Sequence, residues 1–363
     1  MRFTASDHAF MARALLLAQR GLNTTTPNPR VGCVIVRNGR IAGEGWHQQA
    51  GGPHAEVNAL AAAGEAARGA TVYLNLEPCS HHGRTPPCAE ALIGAGVAKV
   101  IAALQDPNPL VAGQGFAKLR AAGIDTECGL LAAEARELNL GFVARMERGR
   151  PWLRCKLAAS LDGKTALNNG ASQWITGAAA RRDAHLLRAR SCALLTGIGT
   201  VRDDDPALTV RLEEPVRQPV RVVIDSRLDI PLGSRVLQGG GTLIATVCSD
   251  AAKIAALTEL GAEVLLVPEQ AGKTDLAAVL RLLAERGMNE ITVEAGAKLN
   301  GSLLQAGLID ELVLYQAPSL LGDQARGLFA LPALTTLEGR TDWSIQDVRP
   351  VGHDLRLVLR PLR

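Results

Sequence analysis

His54, Glu56, Cys79 and Cys88 are the residues of this 363-residue chain whose types and spacing most plainly offer chemistry. One imidazole and two thiolates are donors that a borderline-soft divalent ion selects. Three protein ligands leave a fourth position for water, which is the pattern of a catalytic rather than a structural zinc site. An ion held this way lowers the pKa of its water enough to supply hydroxide near neutrality. Glu56, two positions beyond the histidine, is then placed to take the proton from that water and pass it to a leaving nitrogen. The cysteines sit in LEPCSHHGRTPPC, residues 76 to 88, where Cys79 follows Pro78 at an expected strand-to-helix junction. A helix N-terminus there helps ionise the thiol. His81 or His82 as a fourth ligand would instead close a structural site, and a non-enzymatic, zinc-stabilised binding protein stays open on the same residues.

The elements that must position these groups alternate between helical and strand patterns. Residues 7 to 20 read as a helix capped by Ser6 or Asp7 and stopped by Gly21. VGCVIV, Asn38-Gly39 and RIAGEGWH read as a hairpin with a two-residue turn. HAEVNALAAAGEAA reads as a helix with Pro53 at its first turn, TVYLNLEP and AKVIAAL as strands, and 87 to 95 as a short helix. The result is a three-layer α/β domain ending near Leu140. ARMERGRP, 144 to 151, is the expected linker, which divides the chain into domains 1–147 and 148–363. Strands are expected beyond it at 152–159, 192–197, 220–225, 242–247, 263–267, 290–294 and 311–316, with AARRDAHLLRAR and DLAAVLRLLAER as helices and a closing C-terminal hairpin.

Composition narrows the function classes. Hydrophobic residues at 47% and charged residues at 21% describe a well-packed globular protein. Aromatics at only 3% leave few stacking platforms, and 39 Lys+Arg against 36 Asp+Glu, spread over both halves, leave no basic domain, so no nucleic-acid partner is expected. No apolar run reaches a membrane span and MRFTASDHAF resembles no signal peptide, so a cytoplasmic location away from membranes is expected. Seven scattered cysteines argue for free thiols. Cys33, Cys128, Cys155, Cys192 and Cys248 are expected as small buried hydrophobes, and His8, His47, His185 and His353 as surface or helix-packing residues.

In the second half, glycines cluster at strand ends before helices, where backbone N–H groups can meet phosphate. GIGTVR places Arg202 where a dinucleotide fingerprint needs its third glycine, so an ordinary Rossmann domain is not expected.

The His-x-Glu and Pro-Cys-x(n)-Cys pattern resembles the zinc-dependent cytidine deaminase superfamily, in which the glutamate is the proton shuttle. The eight-residue insert SHHGRTPP, with TTTPNPRVGCVIV and GGPHAEVNAL, resembles one branch, the bacterial bifunctional deaminase/reductase of riboflavin biosynthesis. That resemblance implies a cytidine-deaminase-like α/β/α domain followed by a dihydrofolate-reductase-like α/β domain. It also implies NADPH and phosphorylated pyrimidine substrates, while the three-ligand pattern by itself gives one zinc per chain; assembly into a homo-oligomer is open on the sequence. It puts Asn28 in the pyrimidine pocket and the loop of His81, His82 and Arg84 near the substrate's polar end. CKLAASLDGKTA, SQWITG, the stretch 186–211 and VEAGAKLNGSLL resemble the reductase half. Carried over, the cofactor contacts Ala158, Trp174, Thr200, Asp204 and a loop of Gly296, Ala297, Lys298, Leu299, Asn300, Gly301 and Ser302. The substrate contacts Ser172, Arg188, Leu208, Arg211 and Glu294, and Lys156, facing Asp204, acts on the reacting sugar oxygen. Without the resemblance, Asp203 and Asp205 read as a solvated acidic turn and Trp174 as core. A deaminase of another base or nucleoside, with the second half as a non-catalytic clamp, is the alternative.

Overall fold

The computed structural model describes residues 3–80, 87–109, 111–213 and 217–362. Two compact units divide the chain, Met1–Gly149 and Arg150–Arg363. The first contains α1 (Ala5–Gln19), β1 (Gly32–Arg37), β2 (Arg40–Trp46), α2 (Ala55–Ala63), β3 (Thr71–Leu74), α3 (Cys88–Gly94), β4 (Lys99–Ala102), α4 (Gln114–Ala121), β5 (Asp125–Cys128), α5 (Ala132–Leu138) and α6 (Leu140–Arg148). Its sheet runs β2-β1-β3-β4-β5, with β1 antiparallel to β2 and β3 and the rest parallel.

Strand alternation builds the three layers. Cys33, Ile35, Val72 and Leu74 pack beneath Ala55, Ala59, Leu92 and Leu119 of α2, α3 and α4. Val34, Val36 and Tyr73 face Met11, Leu15 and Ala135 of α1 and α5 on the other side. Gly45 lets α2 lie directly on β2, since a Cβ there would stand 2.4 Å from Ala59 N. The helix that begins at His54 is fixed by this contact.

Three local expectations need correction. The cap of α1 is Thr4, not Ser6 or Asp7: its hydroxyl accepts from Asp7 N–H while the Asp7 carboxylate accepts from Thr4 N–H, a reciprocal capping box. The helix beginning at α2 ends at Ala63 and tightens into a 3₁₀ turn over Gly64–Ala67. The expected linker is helical to Arg148, because Phe142, Val143 and Ala144 bury one face of α6, and Gly149 in the left-handed region ends it.

The second unit contains β6 (Trp152–Ala159), β7 (Lys164–Ala166), α7 (Ala178–Arg190), β8 (Ala193–Gly197), α8 (Ile198–Asp204), β9 (Val220–Ile224), β10 (Thr242–Thr246), α9 (Ala251–Glu259), β11 (Ala262–Leu266), β12 (Glu269–Gln270), β13 (Lys273–Thr274), α10 (Leu276–Glu285), β14 (Glu290–Val293), α11 (Ala297–Gln305), β15 (Glu311–Gln316), β16 (Arg326–Gly327), β17 (Trp343–Val351) and β18 (Asp354–Pro361). Nine strands form one sheet in the order β11-β10-β9-β8-β14-β6-β15-β18-β17. It is parallel from β11 to β15, and the antiparallel hairpin of β17 and β18 completes it. Helices cover both faces: Leu280 and Leu303 pack on Leu195 and Val222, and Val201 and Leu257 on Leu194 and Val223.

Gly296–Ser302 is not a loop. Gly296 caps α11, and Gly301 stands inside the helix because a Cβ there would meet Ala330 O at 2.2 Å.

Candidate active sites

His54 is the N-cap of α2, Cys79 follows β3, and Cys88 opens α3. Their donor atoms lie within 4.8 Å of one another, and no fourth His, Cys, Asp or Glu joins them among the described residues. His54 Nδ1 stands 3.2 Å from Cys88 Sγ and 3.6 Å from Cys79 Sγ. A tetrahedral zinc with Zn–N about 2.0–2.1 Å and Zn–S about 2.3 Å holds nitrogen and sulfur about 3.6 Å apart. The donor set therefore fits the ion. Left to themselves, the two sulfurs share a proton: a hydrogen bond from Cys88 draws the Cys79 thiol down to about 4, while the bond to Cys79 and burial push Cys88 up. A dication removes that competition by stabilising both thiolates.

Glu56 lies in the first turn of α2 with 3% of its surface exposed. Burial, then the Cys79 thiolate, raises it to about 7. A carboxyl poised there can both take and give a proton near neutrality. His81, His82 and Arg84 lie outside the described residues.

Two supports were not legible in advance. Glu77, buried beside Pro78, accepts from the backbone N–H groups of Asp106, Gly113, Gly115 and Phe116 at 2.9–3.2 Å, fastening the segment that carries Cys79. His47 is not a surface residue. It is 2% exposed, meets His54 edge-on at 5.3 Å, and contacts Asn28 Nδ2 and Pro53 O, each at 3.0 Å. Burial lowers its pKa and keeps it neutral. His8 and His353 are exposed, as expected. Cys33, Cys155 and Cys192 are buried, while Cys128 and Cys248 are only half-buried at strand ends.

In the second unit, Glu294 follows β14 and is gripped by Arg188 of α7 through Nε–Oε1 at 2.6 Å and Nη2–Oε2 at 2.8 Å. Lys156 Nζ stands 3.9 Å from the same carboxylate, so its ion-pair partner is Glu294 and not Asp204. Burial would raise Glu294, but Arg188 and Lys156 outweigh it and hold the carboxyl at about 2. Arg188 Nη1 also donates to Thr209 O, and Arg211 N–H donates to His185 Nδ1. Burial, Arg188 and Arg211 lower His185 to about 4, so this imidazole is neutral and belongs to the cluster, not to the surface.

Strand alternation puts Lys156 and Ala158, both half-exposed, on one face of β6. Ser172 Oγ donates to Asp204 Oδ1 at 3.0 Å, and Gly296 N–H to Thr200 Oγ1 at 3.1 Å, joining both ends of α8 to this region. Trp174 is not core: it is 68% exposed with the Arg181 guanidinium 4.5 Å from its ring. Asp203 pairs with Arg326, and Asp205 accepts from Arg235 N–H, so neither is merely solvated. Leu208 packs with Val201 in the core, so any ligand contact falls to its backbone. Asn300 and Gly301 face inward, Asn300 donating to Ala295 O. Gly296, Ala297 and Lys298 are the accessible start of α11.

Fold and site together define an enzyme that joins a cytidine-deaminase-type zinc domain to a reductase domain. Residues 4–104 match the family model for the cytidine and deoxycytidylate deaminase zinc-binding region, and residues 151–357 match that for the RibD C-terminal domain. The chain is similar to riboflavin biosynthesis protein RibD of Escherichia coli strain K12, 52% identical over 97% of this chain and 99% of that protein. For the Haemophilus influenzae protein of the same name the identity is 48%, over 99% of each. Among solved structures, Acinetobacter baumannii RibD superposes with a TM-score of 0.92 at 44% identity over 99% of each chain. A Thermotoga maritima diaminohydroxyphosphoribosylaminopyrimidine deaminase/5-amino-6-(5-phosphoribosylamino)uracil reductase gives 0.87 at 34%, over 98% of this chain and 99% of its own. The chain belongs to the RibD family, the bifunctional deaminase/reductases of riboflavin biosynthesis. No helix among the described residues is long and apolar enough to cross a membrane.

Proposed function

We propose that the first unit hydrolyses the exocyclic amine of 2,5-diamino-6-(ribosylamino)-4(3H)-pyrimidinone 5'-phosphate, and that the second then reduces the ribosyl group to ribityl with NADPH. The observation that carries the deaminase reading is the buried Glu56 carboxyl, two residues beyond His54 on the first turn of α2, beside three convergent donors. Zinc, when bound by His54, Cys79 and Cys88, supplies the Lewis acidity that brings water into the neutral pKa range. Glu56 takes the proton that water gives up and delivers it to the exocyclic nitrogen, which leaves as ammonia. Asn28, on the rim formed by the loop before β1, lines the pyrimidine ring. Free cysteines throughout suit the cytoplasm.

In the reductase unit NADPH supplies the hydride. The open N–H groups at the start of α11 suit the cofactor's phosphates, with Ala158, Trp174, Thr200 and Asp204 along its length. Arg211, Arg188, Ser172 and the Leu208 backbone suit the phosphorylated sugar, and Glu294 keeps Arg188 directed. Lys156, on the same strand face as Ala158, can protonate the ring oxygen as the sugar opens to receive hydride at its anomeric carbon. Incubating the protein with the diamino substrate tests both assignments by product mass. The deaminated ribosyl compound is expected without NADPH and the ribityl compound with it; no ammonia, or an unreduced product with NADPH, contradicts them.

A further inference from the structure

His47 directly follows β2, and its ring is enclosed between the loop that carries Asn28 and the loop that leads into His54. Nδ1 faces Pro53 O and Nε2 faces Asn28 Nδ2. A carbonyl oxygen only accepts, so Nδ1 carries the hydrogen, and a neutral imidazole then leaves Nε2 as an acceptor. Whatever meets Nε2 must donate, and Asn28 can donate only through Nδ2. The rotation of the amide is settled by that chain. The backbone beneath it is fixed as well: Asn28 N–H donates to Thr25 O, while Arg30 N–H and O are held by Asn139 and Asn75. Asn28 Oδ1, which has no partner among the described residues, is left as an acceptor of fixed direction.

We infer that His47 is a positioning residue that sets which substrates the deaminase accepts, by holding Asn28 Oδ1 toward an N–H group of the bound heterocycle. The inference rests on Asn28 lining the substrate pocket. A ring that offers N–H or amino hydrogen at that point is bound; one that offers a carbonyl or bare ring nitrogen meets the amide's lone pairs and is rejected. Without His47 the amide can turn and present Nδ2 instead, and the discrimination is lost.

The test is a double-mutant cycle read as KM, kcat and zinc per chain for the deamination step, using the full-length protein. His47→Phe is expected to raise KM about tenfold, the effect of one misplaced hydrogen bond, with kcat and zinc little changed. Asn28→Ala is expected to raise KM by a similar factor, and His47→Phe added to it to cost nothing more. His47→Gln, whose amide also offers one donor and one acceptor, is expected to recover part of the loss. An equal KM increase from His47→Phe in the Asn28→Ala background overturns the inference, because His47 would then act independently of Asn28. Zinc lost from both His47 variants overturns it too, since the ring would then serve the metal site. Asn28→Ala with unchanged KM and full zinc instead refutes the placement of Asn28 in the pocket, whatever the His47 variants do.

Discussion

Replacing Glu294 by Gln removes one negative charge from a cluster in which Arg188, Lys156 and Arg211 converge. The carboxyl lies at about 2 rather than the ordinary 4.5. That displacement corresponds to about 3 kcal/mol favouring the ionised form in the folded state, and breaking a buried pair by removing one partner typically costs about 3–5 kcal/mol. For a unit of this size about 1 kcal/mol moves Tm by roughly 2–4 °C, so the reductase transition is expected to fall by about 6–12 °C at pH 7. Scanning calorimetry of the full chain reads it. The pH dependence adds a second constraint. A carboxyl lowered by folding contributes stability that is complete above about 4.5 and lost as pH falls through about 2. The gap between wild type and Glu294→Gln should therefore shrink over that window as the wild-type carboxylate takes up its proton. A Tm unchanged at pH 7, or a gap that stays constant down to pH 2, would refute the electrostatic reasoning.

Cys79→Ser substitutes a poor donor in a three-ligand shell, and zinc per chain measured after dialysis against a mild chelator is expected to drop well below one; full retention contradicts the ligand assignment. Glu77→Gln replaces an anionic acceptor of several backbone N–H groups by an amide whose NH₂ opposes them. Zinc affinity should weaken about 10–100-fold, as for other supports of metal ligands, while the reductase KM is unaffected; competition with a chromophoric chelator measures it.

The metal triad was legible because His-x-Glu puts ligand and carboxylate on the first turn of one helix, and Pro-Cys at a strand end brings a thiol to the same edge of the sheet. Runs rich in Val, Ile and Leu marked the parallel strands, whose burial on both faces leaves little room for other residue types. Partners distant in sequence were less visible. Arg188 and Glu294 stand 106 residues apart, and no local pattern announces that α7 will lie against the end of β14. His185 did carry a signal, since it precedes Arg188 by three residues and so shares its helix face. His47 carried none, because its importance comes from two loops that meet only in the fold. The loop of 296–302 came from the resemblance, and the close packing of Gly301 against Ala330 that makes this stretch part of α11 is a tertiary fact with no local signal. Thr4 and Asp7 spell out a capping box at the ordinary three-residue spacing, so the cap of α1 is legible in the sequence.

Ammonia release by Glu56→Gln, with zinc content measured on the same sample, tests whether Glu56 carries the proton in deamination. The variant is expected to keep about one zinc per chain, held by His54, Cys79 and Cys88, and to lose about 10²–10⁴-fold in deamination, the usual contribution of a proton-transferring side chain. Release within a few fold of wild type at full zinc occupancy would show that protons travel by another route and contradict the role assigned to Glu56.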